Sequence, residues 1–328
     1  LNSLIILNKM NGDLPLVSLC ILTYNQEKYI RETIRGALSQ DYPNLEIVIS
    51  DDNSTDSTFR IIKEMTDGYV GPHSLIINQN NPNKGIVEHV NRVVFELSHG
   101  DYIMLSGGDD VCMPQTISFA VDKCFENGCC SIAFNANIIN AISQVTGHLH
   151  KMEDNSDCIY KLEHYITGNY KTNGACRLVK REIYEMFGKF DKDCPTEDTP
   201  TLFRTFLYDR VGFCSIPNIN YRIHGGNISG FHNLMTKFDP RKIYSQYKKD
   251  LDIAYGCKLI NDEYYKKMQC HIKKYLYDNI AIRYIYNQPI YFFRLICAAS
   301  FAIRPHYSYI QAKKYVRMVI EWHKKGIL

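Results

Sequence analysis

The chain has 328 residues, of which 45% are hydrophobic and 22% charged, and a net charge of +3. Those fractions belong to a globular chain with a packed core and exclude a disordered or fibrous one. The charge is uneven: from Arg241 on there are 17 of the 38 Lys+Arg but only 6 of the 35 Asp+Glu, which points the tail at an anionic surface and leaves the acidic remainder for metal and polyhydroxyl chemistry.

Leu4–Leu7 is the only apolar run before Leu14, too short for a signal-peptide core. Residues 1–14 therefore read as an extension, with Met10 the expected biological start. Leu16–Leu22 is a short apolar run closed by Thr23, Tyr24 and Asn25. Glu27–Gln40 places Ile30, Ile34, Ala37 and Leu38 at helical spacing, and Asp41-Tyr42-Pro43-Asn44 breaks it. Leu45–Ser50 suits a buried strand of a parallel sheet. The pattern predicts a helix over 57–65, a strand over 74–77, a turn over Asn80–Gly85, a helix over 86–98 and a strand over 101–105. Strand and helix alternating at this interval argue for right-handed βαβ units.

Acid pairs follow two of these strands. Asp51 and Asp52 end the second, at the edge where open α/β sheets bind ligands. They suit the N–H and O–H donors of a nucleoside, or the capping of the next helix. The fourth strand ends in Ser106-Gly107-Gly108-Asp109-Asp110. Glycines let the backbone approach a ligand, and paired carboxylates suit Mg²⁺ or Mn²⁺ on a diphosphate. A Gly-Gly turn with solvated acids is the plainer reading. Twelve cysteines show no CxxC pair and no zinc spacing, so reduced thiols and a cytoplasmic location are expected.

The run VSLCILTYNQEKYIRETIRGALSQDYPNLEIVISDDNSTDST resembles the opening of glycosyltransferase family 2. The resemblance continues in order through Asn83-Lys84-Gly85, Gly100–Ile103, Gly108-Asp109-Asp110, Gly188–Asp191, Thr196-Glu197-Asp198 and Tyr221–His224. It implies an α/β fold of GT-A type, a nucleotide-diphospho-sugar transferase sandwich with a mostly parallel central sheet, over 15–235. A helical, basic C-terminal region over 236–328 would follow. By resemblance, Thr23, Tyr24, Asn25, Asp51, Asp52, Asn83, Lys84, Gly85 and Gly108 lie on the nucleotide. Asp109, Asp110 and His224 hold a metal, Mn²⁺ or Mg²⁺, although Gly107 stands where the family's first metal-motif acid is usual. Asp198 is the expected general base, with Glu197 as alternative base or acceptor-orienting group; both also suit a helix N-terminus. Asn173, Gly174 and Arg222 are placed at the donor and acceptor pocket, and 225–230 as a loop closing over the donor.

The expected activity is inverting transfer from a nucleotide-diphosphate sugar, with UDP the expected nucleotide. The acceptor would be a hydroxyl of a glycan or lipid-linked molecule in bacterial surface polysaccharide synthesis. A catalytically impaired scaffold is the alternative. A sugar nucleotidyltransferase is disfavoured because no Gly-rich loop follows the first strand. Beyond residue 240, helices are predicted over 243–255, 262–286, 290–301 and 307–325. The apolar 290–303 stretch is too short to span a membrane and contains Arg294. The last helix is basic and amphipathic, suited to anionic lipid at the membrane periphery or to a cap on the catalytic part. No nucleic-acid module accompanies these lysines.

Overall fold

The structure is a computed structural model, described over residues 14–151, 157–175, 177–227 and 231–287. The expected N-terminal extension up to residue 13, the helices over 290–301 and 307–325, and loop residues 228–230 lie outside the described residues.

Four parallel strands come first: β1 (Val17–Thr23), β2 (Leu45–Asp51), β3 (Ser74–Gln79) and β4 (Tyr102–Gly107). The helices between them are α1 (Ile30–Leu38), α2 (Thr58–Thr66) and α3 (Ile86–Arg92), the last running on into a short π-helical turn, Val93–Leu97. Each helix buries the stripe its sequence presents; α1, for example, buries Ile30, Ile34 and Ala37. The second half adds β5 (Val111–Cys112), α4 (Thr116–Glu126), β6 (Ser131–Ile139), β7 (Val145–His148), β8 (Cys158–Tyr160), α5 (Leu162–Thr167), β9 (Arg177–Lys180), α6 (Arg181–Phe187), α7 (Asp198–Tyr208) and β10 (Val211–Arg222). Three helices close the described chain: α8 (Phe231–Thr236), α9 (Pro240–Gly256) and α10 (Asp262–Asn287).

The sheet order is β3-β2-β1-β4-β9-β6-β10-β5. β9 runs antiparallel to both neighbours, and β6 pairs β10 in parallel. The register of β10 shifts around Pro217, a residue with no N–H for the ladder.

Both faces of the sheet are covered, as period-2 alternation in β1 and β2 requires. Leu19, Ile21, Ile47 and Ile49 face Ile30, Ile34, Ile61 and Ile117 in one layer. Cys20 and Val48 face the other layer, with Val90, Val94, Phe203 and Phe206. Ile243, Tyr247 and Leu251 of α9 and Met268 and Ile272 of α10 belong to that same core. Arg204 of α7 and Asp250 of α9 are fully buried and pair through two 2.9 Å contacts. The Arg204 guanidinium also lies 4.0 Å over the Phe190 ring. Among the described residues no helix is long and apolar enough to cross a membrane, and the ten cysteines are free thiols.

Candidate active site

The carboxyl ends of β1, β2 and β4 open onto a cavity of about 850 Å³. Thr23, Tyr24, Asp52, Asn83 and Gly85 line it, with Gly107 to Asp110 and with Asn173, Gly174, Arg177, Glu197 and Asp198. Leu234, Met235, Ile243 and Tyr275 from the last three helices, and Phe238 from the link between the first two of them, complete the wall.

The adjacent acids Asp51 and Asp52 do different things, because successive strand residues point to opposite sides. Asp51 is fully buried. It accepts from the Thr23 hydroxyl (3.1 Å), the Ser54 hydroxyl and amide (2.9 Å for the amide) and Gln79 Nε2 (3.2 Å). All of its capacity goes into closing the strand end, and it does not line the cavity. Asp52 does line it. Its Oδ1 accepts from Asn80 Nδ2 (2.7 Å) and the Lys84 amide (2.9 Å), and its Oδ2 from the Gly85 amide (2.8 Å). That carboxylate pins the 80–85 turn, where Gly85 takes a left-handed φ of +76°. Asn83 Nδ2 donates to the Asp52 carbonyl at 2.6 Å. Lys84 joins through its backbone; it is exposed and does not line the cavity. Asn25, at φ +54°, accepts from the Thr55 amide (2.9 Å) and holds the 51–55 turn without lining the cavity. Tyr24 is half-exposed at the cavity. His89, unremarked in the sequence, also lines it; burial holds its ring below the usual histidine range, and one ring nitrogen lies 2.7 Å from the Ser50 hydroxyl.

Both acids of the second pair line the cavity, but their partners differ. Asp109 Oδ2 lies 2.9 Å from His224 Nε2, and the His224 ring packs on Tyr29. Asp110 turns inward: its Oδ1 accepts from the Arg222 amide at 2.9 Å. Burial and the neighbouring Asp109 charge push its carboxyl well above the usual range. Arg222 departs from the sequence expectation of a pocket residue. Its fully buried guanidinium donates to the Asp109 carbonyl (2.8 Å), the Asn140 carbonyl (3.1 Å), the Ser143 hydroxyl (2.9 Å) and Glu32 (2.7 Å). It is a strut beneath the acid turn, and neither it nor His224 lines the cavity. Among the described residues no group of three His, Cys, Asp or Glu is arranged around a metal position. Asp109 and His224 do offer two ligands side by side. Of the two, the Asp109 carboxylate is the hard oxygen ligand that suits Mg²⁺ or Mn²⁺, which bind through one or two carboxylates and complete their shell with water and phosphate oxygens.

Glu197 and Asp198 begin α7, with Pro200 in its first turn. Burial, then the Asp198 charge, pushes the Glu197 carboxyl up to about 7. Asp198 Oδ1 lies 3.1 Å from Arg177 Nη1. A Cβ on Gly174 would fall 2.3 Å from Asp198 Oδ2, so the space this glycine leaves is filled by that carboxylate rather than left open for a sugar. Asn173 is buried, and its Nδ2 has no hydrogen-bond partner among the described residues. Arg177 was not legible in the sequence: an arginine in a four-residue strand carries no local signal of its partner.

A family model described as Glycosyl transferase family 2 matches residues 18–187. Chondroitin synthase of Escherichia coli is 38% identical over 109 residues, 33% of this chain and 15% of that protein. The Escherichia coli UDP-Glc:alpha-D-GlcNAc-diphosphoundecaprenol beta-1,3-glucosyltransferase WfaP is 37% identical over 105 residues, 32% of this chain and 39% of that protein. These matches span well under half the length of the curated relatives. The crystal structure of S. aureus TarS 1-349 in complex with UDP-GlcNAc has a TM-score of 0.60 at 18% identity, covering 82% of this chain and 72% of that one, which is a likeness of fold.

Proposed function

The chain belongs to glycosyl transferase family 2, and on that premise we propose that it moves a sugar from a UDP-linked donor to a hydroxyl of a glycan or lipid-linked acceptor, with inversion. The observation that carries this reading is convergence: Asp52, Asp109 and Asp198, far apart in the chain, line one cavity. Support for a UDP sugar comes from TarS and WfaP, whose names carry UDP-GlcNAc and UDP-Glc. Support for bacterial polysaccharide synthesis comes from the relatives.

Tyr24 offers a half-exposed ring for the base, and Asp52 Oδ2, which takes one internal bond, has capacity for a base N–H. Asp109 and His224 would hold Mn²⁺ or Mg²⁺ against the diphosphate. A bound cation there supplies charge neutralisation for the leaving group. Asp198 takes the proton of the acceptor hydroxyl. The acceptor oxygen then forms its bond to the anomeric carbon while the bond to the diphosphate oxygen breaks, and the electron pair leaves with UDP. Attack from the side opposite the leaving group inverts the centre. The basic helices after residue 236 suit contact with anionic lipid at the cytoplasmic face, where nucleotide sugars are made.

The second reading, an impaired nucleotide-binding scaffold, is favoured by Gly107 alone. A Cβ there would come within 2.6 Å of Asp109 Oδ1, so a side chain at 107 requires the Asp109 carboxylate to move. Calorimetric titration of UDP with and without Mn²⁺, followed by a panel of UDP, dTDP and GDP sugars, separates the two. We expect UDP binding strengthened by Mn²⁺ and release of UDP from at least one sugar donor. Asp198→Asn is expected to lower turnover by about 10²-fold or more with UDP affinity unchanged. Unaltered turnover in that variant refutes the assignment of the base.

A further inference from the structure

Of Asp52, Asp109 and Asp198, the last is the most exposed. Its side chain is 44% exposed, at the first residue of a helix, where several rotamers are open to it. Two features hold it in one place. Arg177, 4% exposed, lies on β9 opposite Leu105 of β4, two residues before Gly107. Its Nη1 lies 3.1 Å from Asp198 Oδ1 and donates to the Asp198 carbonyl at 3.3 Å. Its Nη2 donates to the Thr172 hydroxyl at 3.1 Å. One guanidinium therefore ties the side chain and main chain of Asp198 to the loop that carries Gly174.

On the other side, a Cβ at 174 would meet Asp198 Oδ2, Cγ and Oδ1 at 2.3, 2.6 and 2.7 Å. The carboxylate lies over a bare Cα. The φ of Gly174 is outside the left-handed range, so glycine is needed there for space and not for its backbone. Oδ1 is occupied by Arg177, while Oδ2 has no hydrogen-bond partner among the described residues.

We propose that Arg177 is a positioning residue, and Gly174 its steric counterpart, which together hold the Asp198 carboxylate with Oδ2 presented to the acceptor proton. The proposal rests on the reading of Asp198 as the base. A planar fork with several donors fixes a carboxylate in a way a lysine does not, and a displacement of about 1 Å at a catalytic group can cost about 10²-fold in rate. Arg177 also opposes the rise of the neighbouring Glu197 carboxyl.

The test uses the full chain with UDP-N-acetylglucosamine and UDP-glucose as probes. It reads UDP release between pH 5 and 9 and UDP affinity by calorimetry. Arg177→Met is expected to lower kcat by about 10²-fold, to leave the UDP Kd within about twofold, and to move the acid limb of the rate–pH profile upward, because loss of a buried cation disfavours a neighbouring carboxylate's charged form. Arg177→Lys should restore the limb and only part of kcat. Gly174→Ala should lower kcat comparably without touching the guanidinium, and it decides the matter alone where Arg177→Met does not fold. If both substitutions keep kcat within about twofold while Asp198→Asn loses it, the base assignment stands and the positioning role is refuted. Normal turnover in Asp198→Asn refutes both.

Discussion

Glu197 precedes Asp198 at the start of α7, and burial with that neighbouring charge pushes its carboxyl up to about 7. A carboxyl held above its unfolded value favours the folded chain most at low pH. That contribution is lost as pH rises from about 4.5 through about 7. In Glu197→Gln the loss is absent. The variant should therefore gain stability relative to the wild type across that window, read as the difference between two melting curves at each pH. A difference that stays flat from pH 4.5 to 8 contradicts the assignment. Asp51 and Asp52 mark where single residues stop being legible. Both read as ligands in the chain, yet only tertiary neighbours such as Gln79 and Asn80 decide that the first closes a strand end and the second faces a cavity. Arg222 is the same case: as a motif residue it suggests the donor and acceptor pocket, and in the fold its donors serve Glu32 and three other oxygens.

At the scale of elements, helices with strong periodicity were legible to within about three residues at each end. α9 reads as 243–255 and occupies Pro240–Gly256, since Ile243, Tyr247, Leu251 and Ala254 repeat at three- to four-residue intervals and are all buried. What holds α9 in place was not legible. Its Asp250 meets Arg204 of α7, 46 residues away, with neither side chain exposed. Asp250→Ala leaves a buried guanidinium without its counter-charge and is expected to destabilise by about 3–5 kcal/mol. The measurement is the urea midpoint at unchanged slope; a midpoint within error of wild type would show the pair to be dispensable. β9 escaped a sequence reading because four residues carry too little pattern to name a partner, and its antiparallel insertion between β4 and β6 is a long-range choice.

For the whole molecule, the helices after residue 236 supply part of the core and part of the cavity wall. Removing residues 240–328 would uncover Leu202, Phe203 and Phe206, which now share a core with Tyr247, Leu251 and Met268. We expect the truncated chain to bind a hydrophobic dye and to melt without a cooperative transition. A truncated chain that unfolds cooperatively and still binds UDP would show the tail to be an appendage.

By itself the sequence determined the α/β alternation, the strand ends that carry acid pairs, the family, and three carboxylates worth watching, because periodicity, turn chemistry and ordered motifs are properties of near neighbours in the chain. Only the tertiary structure decided that Asp52 and not Asp51 faces the cavity, that Arg222 is a strut, that Arg177 and Gly174 enclose Asp198, and that α9 and α10 complete the core. Those are contacts between residues tens to more than a hundred positions apart, and no local pattern encodes which distant side chain will arrive to meet a buried charge.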